Sequence, residues 1–179
     1  MKKIIFISFL FLSSNFAQQN ISIGFRDEIG FGYSKINNKQ FSNLAIIPIN
    51  LYLVVNYNIS DNHTLQFRPG YYVGKYDFNG WEIGGYWNYY FADSKIFTSL
   101  GYFVHFNNDN AGGNSGGVGN TIGFTASGIG YKFSKKVNLD ISYNIPLKRK
   151  YGTFALEGKH YANFISNLIK IGVTIYLSD

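Results

Sequence analysis

Apolar and polar residues alternate at every second position through almost the whole chain, and this restricts the fold more than any other feature. A strand sends successive side chains to opposite faces, so a period of two marks strands whose faces meet different surroundings. In Val137-Asn138-Leu139-Asp140-Ile141-Ser142-Tyr143-Asn144-Ile145 every odd residue is apolar and every even one polar. The last segment sets Ile169, Ile171, Val173, Ile175 and Leu177 against Lys170, Gly172, Thr174 and Tyr176. The same rule predicts strands over ~45–58, ~63–77, ~81–92 and ~95–107. Over ~120–133 the apolar face switches between Ala126 and Ile129, which predicts a bulge near Gly128. Over ~21–34, Asp27 falls among Ile23, Phe25, Ile29 and Phe31, which predicts a bulge or a change of phase.

These segments make eight strands, and their connections alternate in length. Tight turns are expected at Ser60-Asp61-Asn62, Ala92-Asp93-Ser94 and Ser134-Lys135-Lys136, and longer polar loops at ~35–44, ~108–119 and ~148–161. Asn79-Gly80 alone breaks the alternation. Short turns on one rim and longer loops on the other fit an outer-membrane barrel. The predicted fold is all-β: an eight-stranded antiparallel up-and-down transmembrane β-barrel.

Composition decides between a soluble and an embedded barrel. Charged residues make up 15% of the chain and aromatic residues 19%, against about 25% charged in soluble domains. The polar face of the strands is mostly Gly, Ser, Thr, Asn and Tyr, which suits a packed interior, while the Ile, Val, Leu and aromatic face suits lipid. Closure pairs every backbone amide in lipid, which an open sheet cannot do. Tyr33, Tyr57, Tyr76, Trp81, Phe91, Phe106, Phe133 and Tyr176 sit near predicted strand ends, where interfacial girdles belong. A soluble lipocalin-like barrel is the competing architecture.

Residues 1–17 read as a secretory signal: Lys2 and Lys3, an apolar run Ile4–Leu12, then Ala17 at the expected cut. The run is too short for a helix that needs about 20 residues to span a bilayer. Residues 18–179 then form one barrel domain. There is no Cys, which excludes disulfides, thiolate metal sites and a lipid-bearing Cys at the cut. With Lys2 and Lys3 removed, 14 basic residues face 10 acidic ones, too mild an excess to imply nucleic acid.

With these features in view, Gly130-Tyr131-Lys132-Phe133-Ser134-Lys135-Lys136-Val137-Asn138-Leu139-Asp140-Ile141-Ser142-Tyr143 and the eight alternating segments resemble the small OmpA/OmpX-type outer-membrane barrels of the Gram-negative cell envelope, in their barrel-only form. The resemblance implies an outer-membrane address, contact with outer-membrane lipids and lipopolysaccharide, and delivery by periplasmic chaperones and the barrel-assembly machinery. It implies no cofactor and no metal.

Inward positions include Arg26, Glu28, Arg68, Glu82, Asp140 and Lys170. They are expected to form an ion-pair network filling the lumen, because charges in a low dielectric need partners and eight strands leave no water channel. A gated path for small ions is the alternative. Lys148, Arg149, Lys150 and Lys159 gather in the last long loop, where they could meet lipopolysaccharide phosphates. Of the histidines, His63 lies at a tight turn and is expected to be solvated. His105 and His160 could approach at the outer rim, as a base for acyl transfer would. His160-Tyr161-Ala162-Asn163 faintly resembles a lipid A deacylase pattern, but Ala162 stands where its Ser belongs, and Ser166 is out of register. The expected protein is therefore non-enzymatic and acts through outward loops in adhesion, lipopolysaccharide contact or envelope integrity. A lipid A-modifying enzyme and a narrow pore are the alternatives. The Gly- and Asn-rich stretch 107–120 matches neither a phosphate loop nor a calcium hand, and reads as a surface loop.

Overall fold

The computed structural model describes residues 20–36, 39–73, 78–108, 118–156 and 159–177. The proposed signal (residues 1–17), Tyr76 and most of the Gly- and Asn-rich stretch lie outside them.

Ten strand segments form a single antiparallel sheet: β1 (Ile21–Ile36), β2 (Lys39–Ser60), β3 (His63–Val73), β4 (Gly80–Tyr90), β5 (Ile96–Asn107), β6 (Val118–Gly119), β7 (Thr121–Lys132), β8 (Val137–Pro146), β9 (Lys150–Leu156) and β10 (Lys159–Tyr176). Neighbours pair in the order β1-β2-β3-β4-β5-β7-β8-β10, and β10 returns to β1 from Gly24↔Tyr176 to Ile36↔Asn163. That pairing closes an eight-stranded barrel. β6 and β9 are the outer continuations of β7 and β8, paired through Val118↔Thr153 and Gly119↔Gly152. Among the described residues there is no helix long and apolar enough to cross a membrane.

Three short turns gather at one rim with the first and last described residues, Asn20 and Leu177. The turns follow β2 at Asp61-Asn62, β4 over 91–95 and β7 over 133–136. In the second, Asp93 takes a positive φ of 58°, a left-handed state that Asp tolerates through its short side chain. The opposite rim differs from the sequence-based expectation. Long loops were expected at ~35–44 and ~148–161, yet the ladders continue there as strand, to Ile36↔Lys39 and Leu156↔Lys159. The physical reason is solvent. Beyond the bilayer the outward face of a strand meets water instead of lipid and need not be apolar, so the alternation fades while the backbone pairing persists.

Strand lengths show how far this rim projects. The 11 residues of β3 and β4 rise about 36 Å, and a tilt near 40° brings that close to the ~25 Å apolar band. β2 has 22 residues and β10 has 18, so the β1–β2 and β9–β10 walls extend well past the band.

The outward face is apolar on all eight barrel strands. Phe25, Leu51, Phe67, Trp81, Leu100, Ile129, Ile141 and Ile171 are all exposed, Leu51 at 62%. The exposed Tyr33, Tyr57, Trp81, Phe91, Phe106 and Phe133 frame the belt. Such a continuous belt far exceeds the few hundred Å² of apolar patch that a soluble monomer exposes. Lipid accounts for it, and closure removes every free sheet edge.

Two local expectations are corrected and a third is met. No bulge forms at Gly128, because β7 pairs without a register shift on both sides. Ile122, Phe124 and Ala126 simply point inward to pack the lumen. The irregularity expected over ~21–34 is present, between Glu28 and Gly30 against β2 and between Gly32 and Ser34 against β10, and Asp27 itself faces out with Phe25 and Ile29. Tyr176 is a lumen residue, 6% exposed, rather than part of the girdle.

Candidate functional site: the barrel lumen

The alternation that lays Ile and Leu on lipid turns the intervening residues inward, and this brings six charged side chains from five strands together. Arg26 grips Asp140 over the intervening strand β10 with two contacts, Nη1 to Oδ2 and Nη2 to Oδ1, both 2.6 Å. Its Nε donates to Glu28 Oε1 at 2.6 Å, and Nη1 also donates to Thr174 at 3.0 Å. Every guanidinium nitrogen thus has an acceptor. Two parallel charge-assisted bonds are the strongest arrangement available to this pair.

Glu28 bridges to the rest of the network. Arg68 Nη1 lies 3.6 Å from its Oε1 and Lys170 Nζ 3.3 Å from its Oε2. Lys170 then reaches Glu82 Oε2 at 2.7 Å, which also accepts the Tyr52 hydroxyl at 2.5 Å. Arg68 donates through Nε to Gln66 and lies 4.0 Å over the Tyr86 ring. Lys170 is flanked by Phe103, 4.3 Å from its ring centre. The result is three cations against three carboxylates, all nearly solvent-free.

Small residues make room for this. A Cβ on Gly172 would lie 2.1 Å from Arg26 Nη2, and one on Gly70 would lie 2.2 Å from the Tyr52 ring. These close approaches explain why glycine alternates with the lipid-facing residues on β10 and β3.

Two further groups fill the lumen. On the projecting side Tyr72, Phe78, Phe103, Ile122, Phe124, Tyr151, Ile165 and Leu168 form an apolar cluster. Phe103 and Phe124 stack at 4.7 Å. On the short-turn side Asn56, Gln66, Asn88, Asn138 and Tyr176 form an amide- and hydroxyl-rich group. The ion network lies between them.

Sequence reasoning placed Arg26, Glu28, Arg68, Glu82, Asp140 and Lys170 inside, and the structure joins all six. It missed His105, Tyr52, Thr174 and Gln66 as members, although the same inward register identifies each. His105 is fully buried, with Nδ1 3.1 Å from Glu82 Oε1 and its ring stacked on Phe78 at 4.1 Å. It does not reach the outer rim. The side chains of His160 and Lys159 fall outside the described ones. Ser166 is committed to structure: its Oγ accepts the Tyr33 N–H at 2.9 Å, where the β1–β10 register shifts. His63 is not merely solvated either. It stacks on Trp87 at 5.5 Å, and its Nδ1 accepts the indole N–H at 3.2 Å. Lys148, Arg149 and Lys150 are exposed where β8 gives way to β9. Among the described residues there is no cluster of His, Cys, Asp and Glu able to hold a metal.

The fold, the belt and the turn asymmetry define a class: a small transmembrane β-barrel of the outer-membrane type. Among the described residues it is a closed eight-stranded barrel without helices. Neisserial surface protein A has a similar structure, with a TM-score of 0.53 and 16% identity over 88% of this chain and 99% of that one. The N-terminal barrel domain of Pseudomonas aeruginosa OprF also aligns, with a TM-score of 0.46 and 14% identity over 85% of this chain and 97% of that one. No family model matches the sequence, and no curated protein is detectably similar to it. The first likeness concerns the fold alone.

Proposed function

We propose that this protein is a non-enzymatic outer-membrane barrel with a sealed lumen, working through the part of the barrel that projects beyond the bilayer. The observation that carries this reading is the filled interior: a buried network of three cations and three carboxylates, backed by an apolar cluster. A lumen of eight strands holds side chains and little else. The test is insertion of purified protein into a planar bilayer. Absence of discrete current steps, with insertion verified separately, supports the sealed barrel; reproducible unitary steps would favour the narrow pore.

The projecting rim carries the finer proposal. Lys148, Arg149 and Lys150, with Lys159 nearby in sequence, would meet lipopolysaccharide phosphates, adding about 1 kcal/mol per cation near the surface. Adhesion and envelope integrity are further roles for the same rim. Export by residues 1–17, a mature barrel of 18–179 and delivery by periplasmic chaperones to the assembly machinery belong to this proposal. An acyl-transfer enzyme fits less well, because Ser166 is engaged by the backbone and His105 is buried beside Glu82.

A further inference from the structure

The short-turn end of the lumen opens into a polar cavity of about 730 Å³, a volume within the range of small-molecule sites. We infer that this cavity is a binding site for a neutral oligosaccharide of two or three sugars, separate from the projecting rim.

The cavity is blind. Toward the barrel centre it ends on Asn138, whose Nδ2 donates to the Tyr176 hydroxyl at 3.3 Å. Gln66 reaches the same hydroxyl at 3.4 Å and Asn56 at 2.8 Å, and Arg68 lies behind it. A compartment open at one end holds a ligand rather than passing it on.

Its chemistry selects the ligand. Asn20, Asn56, Asn58, Asn62 and Asn138 line it with Ser and Thr hydroxyls. An amide offers donor and acceptor from one side chain, as a sugar hydroxyl requires. The charged residues in the lining are two acidic, Asp61 and Asp93, and two basic, Lys132 and Lys135. That balance does not favour an anion such as a lipid phosphate, and the polar walls do not favour an acyl chain. One group points to a missing partner directly. Asn138 is only 3% exposed, yet its Oδ1 has no hydrogen-bond partner. A buried polar atom without a partner is costly, and a sugar hydroxyl reaching the floor would supply one.

The test is calorimetric titration of the full chain in detergent with maltotriose, N,N′,N″-triacetylchitotriose and inorganic phosphate. Saturable binding of either trisaccharide, weakened about tenfold by Asn138→Leu, is expected for the loss of one such hydrogen bond. The chain has no cysteine, so Ser60→Cys at the cavity mouth gives a single labelling site. Saccharide should slow its reaction with a maleimide, and this readout decides the matter if Asn138→Leu does not fold. Binding of phosphate alone, absence of saturable saccharide binding, or binding that neither protects residue 60 nor responds at residue 138 would overturn the inference.

Discussion

Replacing Asp140 by Ala removes the carboxylate that holds Arg26 through two 2.6 Å contacts. Both residues are almost completely buried, at 1% for Arg26 and 5% for Asp140. The guanidinium would keep Glu28 and Thr174 but lose two charge-assisted bonds, and the lumen would hold three cations against two carboxylates. Breaking a buried pair by removing one partner costs about 3–5 kcal/mol. With a urea slope near 2 kcal/mol/M, the unfolding midpoint should fall by about 2 M. Reversible unfolding from lipid vesicles, followed by Trp81 and Trp87 fluorescence, measures this directly. The double replacement Arg26→Met with Asp140→Leu should recover most of the loss, since an apolar pair of similar volume needs no desolvated charge. A loss below about 1 kcal/mol for Asp140→Ala, or no recovery in the double variant, would refute the argument that this pair is desolvated and mutually dependent.

Gly172→Ala should destabilise the barrel, because its Cβ would meet the Arg26 guanidinium, whereas Gly85→Ala, with open space around its Cβ, should unfold at the wild-type midpoint. Leu51→Arg replaces a residue that is 62% exposed, yet it should cost about 2–4 kcal/mol in vesicles if that exposure is to hydrocarbon; a neutral effect would place β2 in water. Ser166→Ala removes the acceptor of the exposed Tyr33 N–H and should lower stability by no more than about 0.5–1.5 kcal/mol, without changing the lipid A acyl pattern of cells that express it. Lys148→Gln, Arg149→Gln and Lys150→Gln together should weaken binding to lipopolysaccharide vesicles at low salt, and the difference should shrink as ionic strength rises.

Much of the barrel was legible because a lipid-facing strand must be apolar at every second residue, which is why β8 and the last turns of β10 read without ambiguity. The ion network was legible for the same reason: Arg26, Glu28 and Lys170 occupy positions that cannot face lipid. What failed to show lay where that constraint lapses. Inside the lumen either polar or apolar side chains can pack, so Ile122 and Phe124 blurred the pattern of β7 and imitated a bulge. Above the bilayer the outward face is wet and need not be apolar, so the outer reaches of β1, β2, β9 and β10 read as loops. His105 was taken for a rim residue because its environment depends on Glu82 and Phe78, which are distant in sequence. The unmatched amide of Asn138 has no sequence signal at all, since only the three-dimensional neighbours of its Oδ1 define it.

The central claim, a closed barrel embedded in a membrane, is tested most directly by electrophoresis of the detergent-extracted membrane fraction with and without boiling. The account predicts a band in that fraction whose mobility changes on heating, as a compact barrel opens. A protein recovered only in the soluble fraction, with the same mobility before and after boiling, would contradict it.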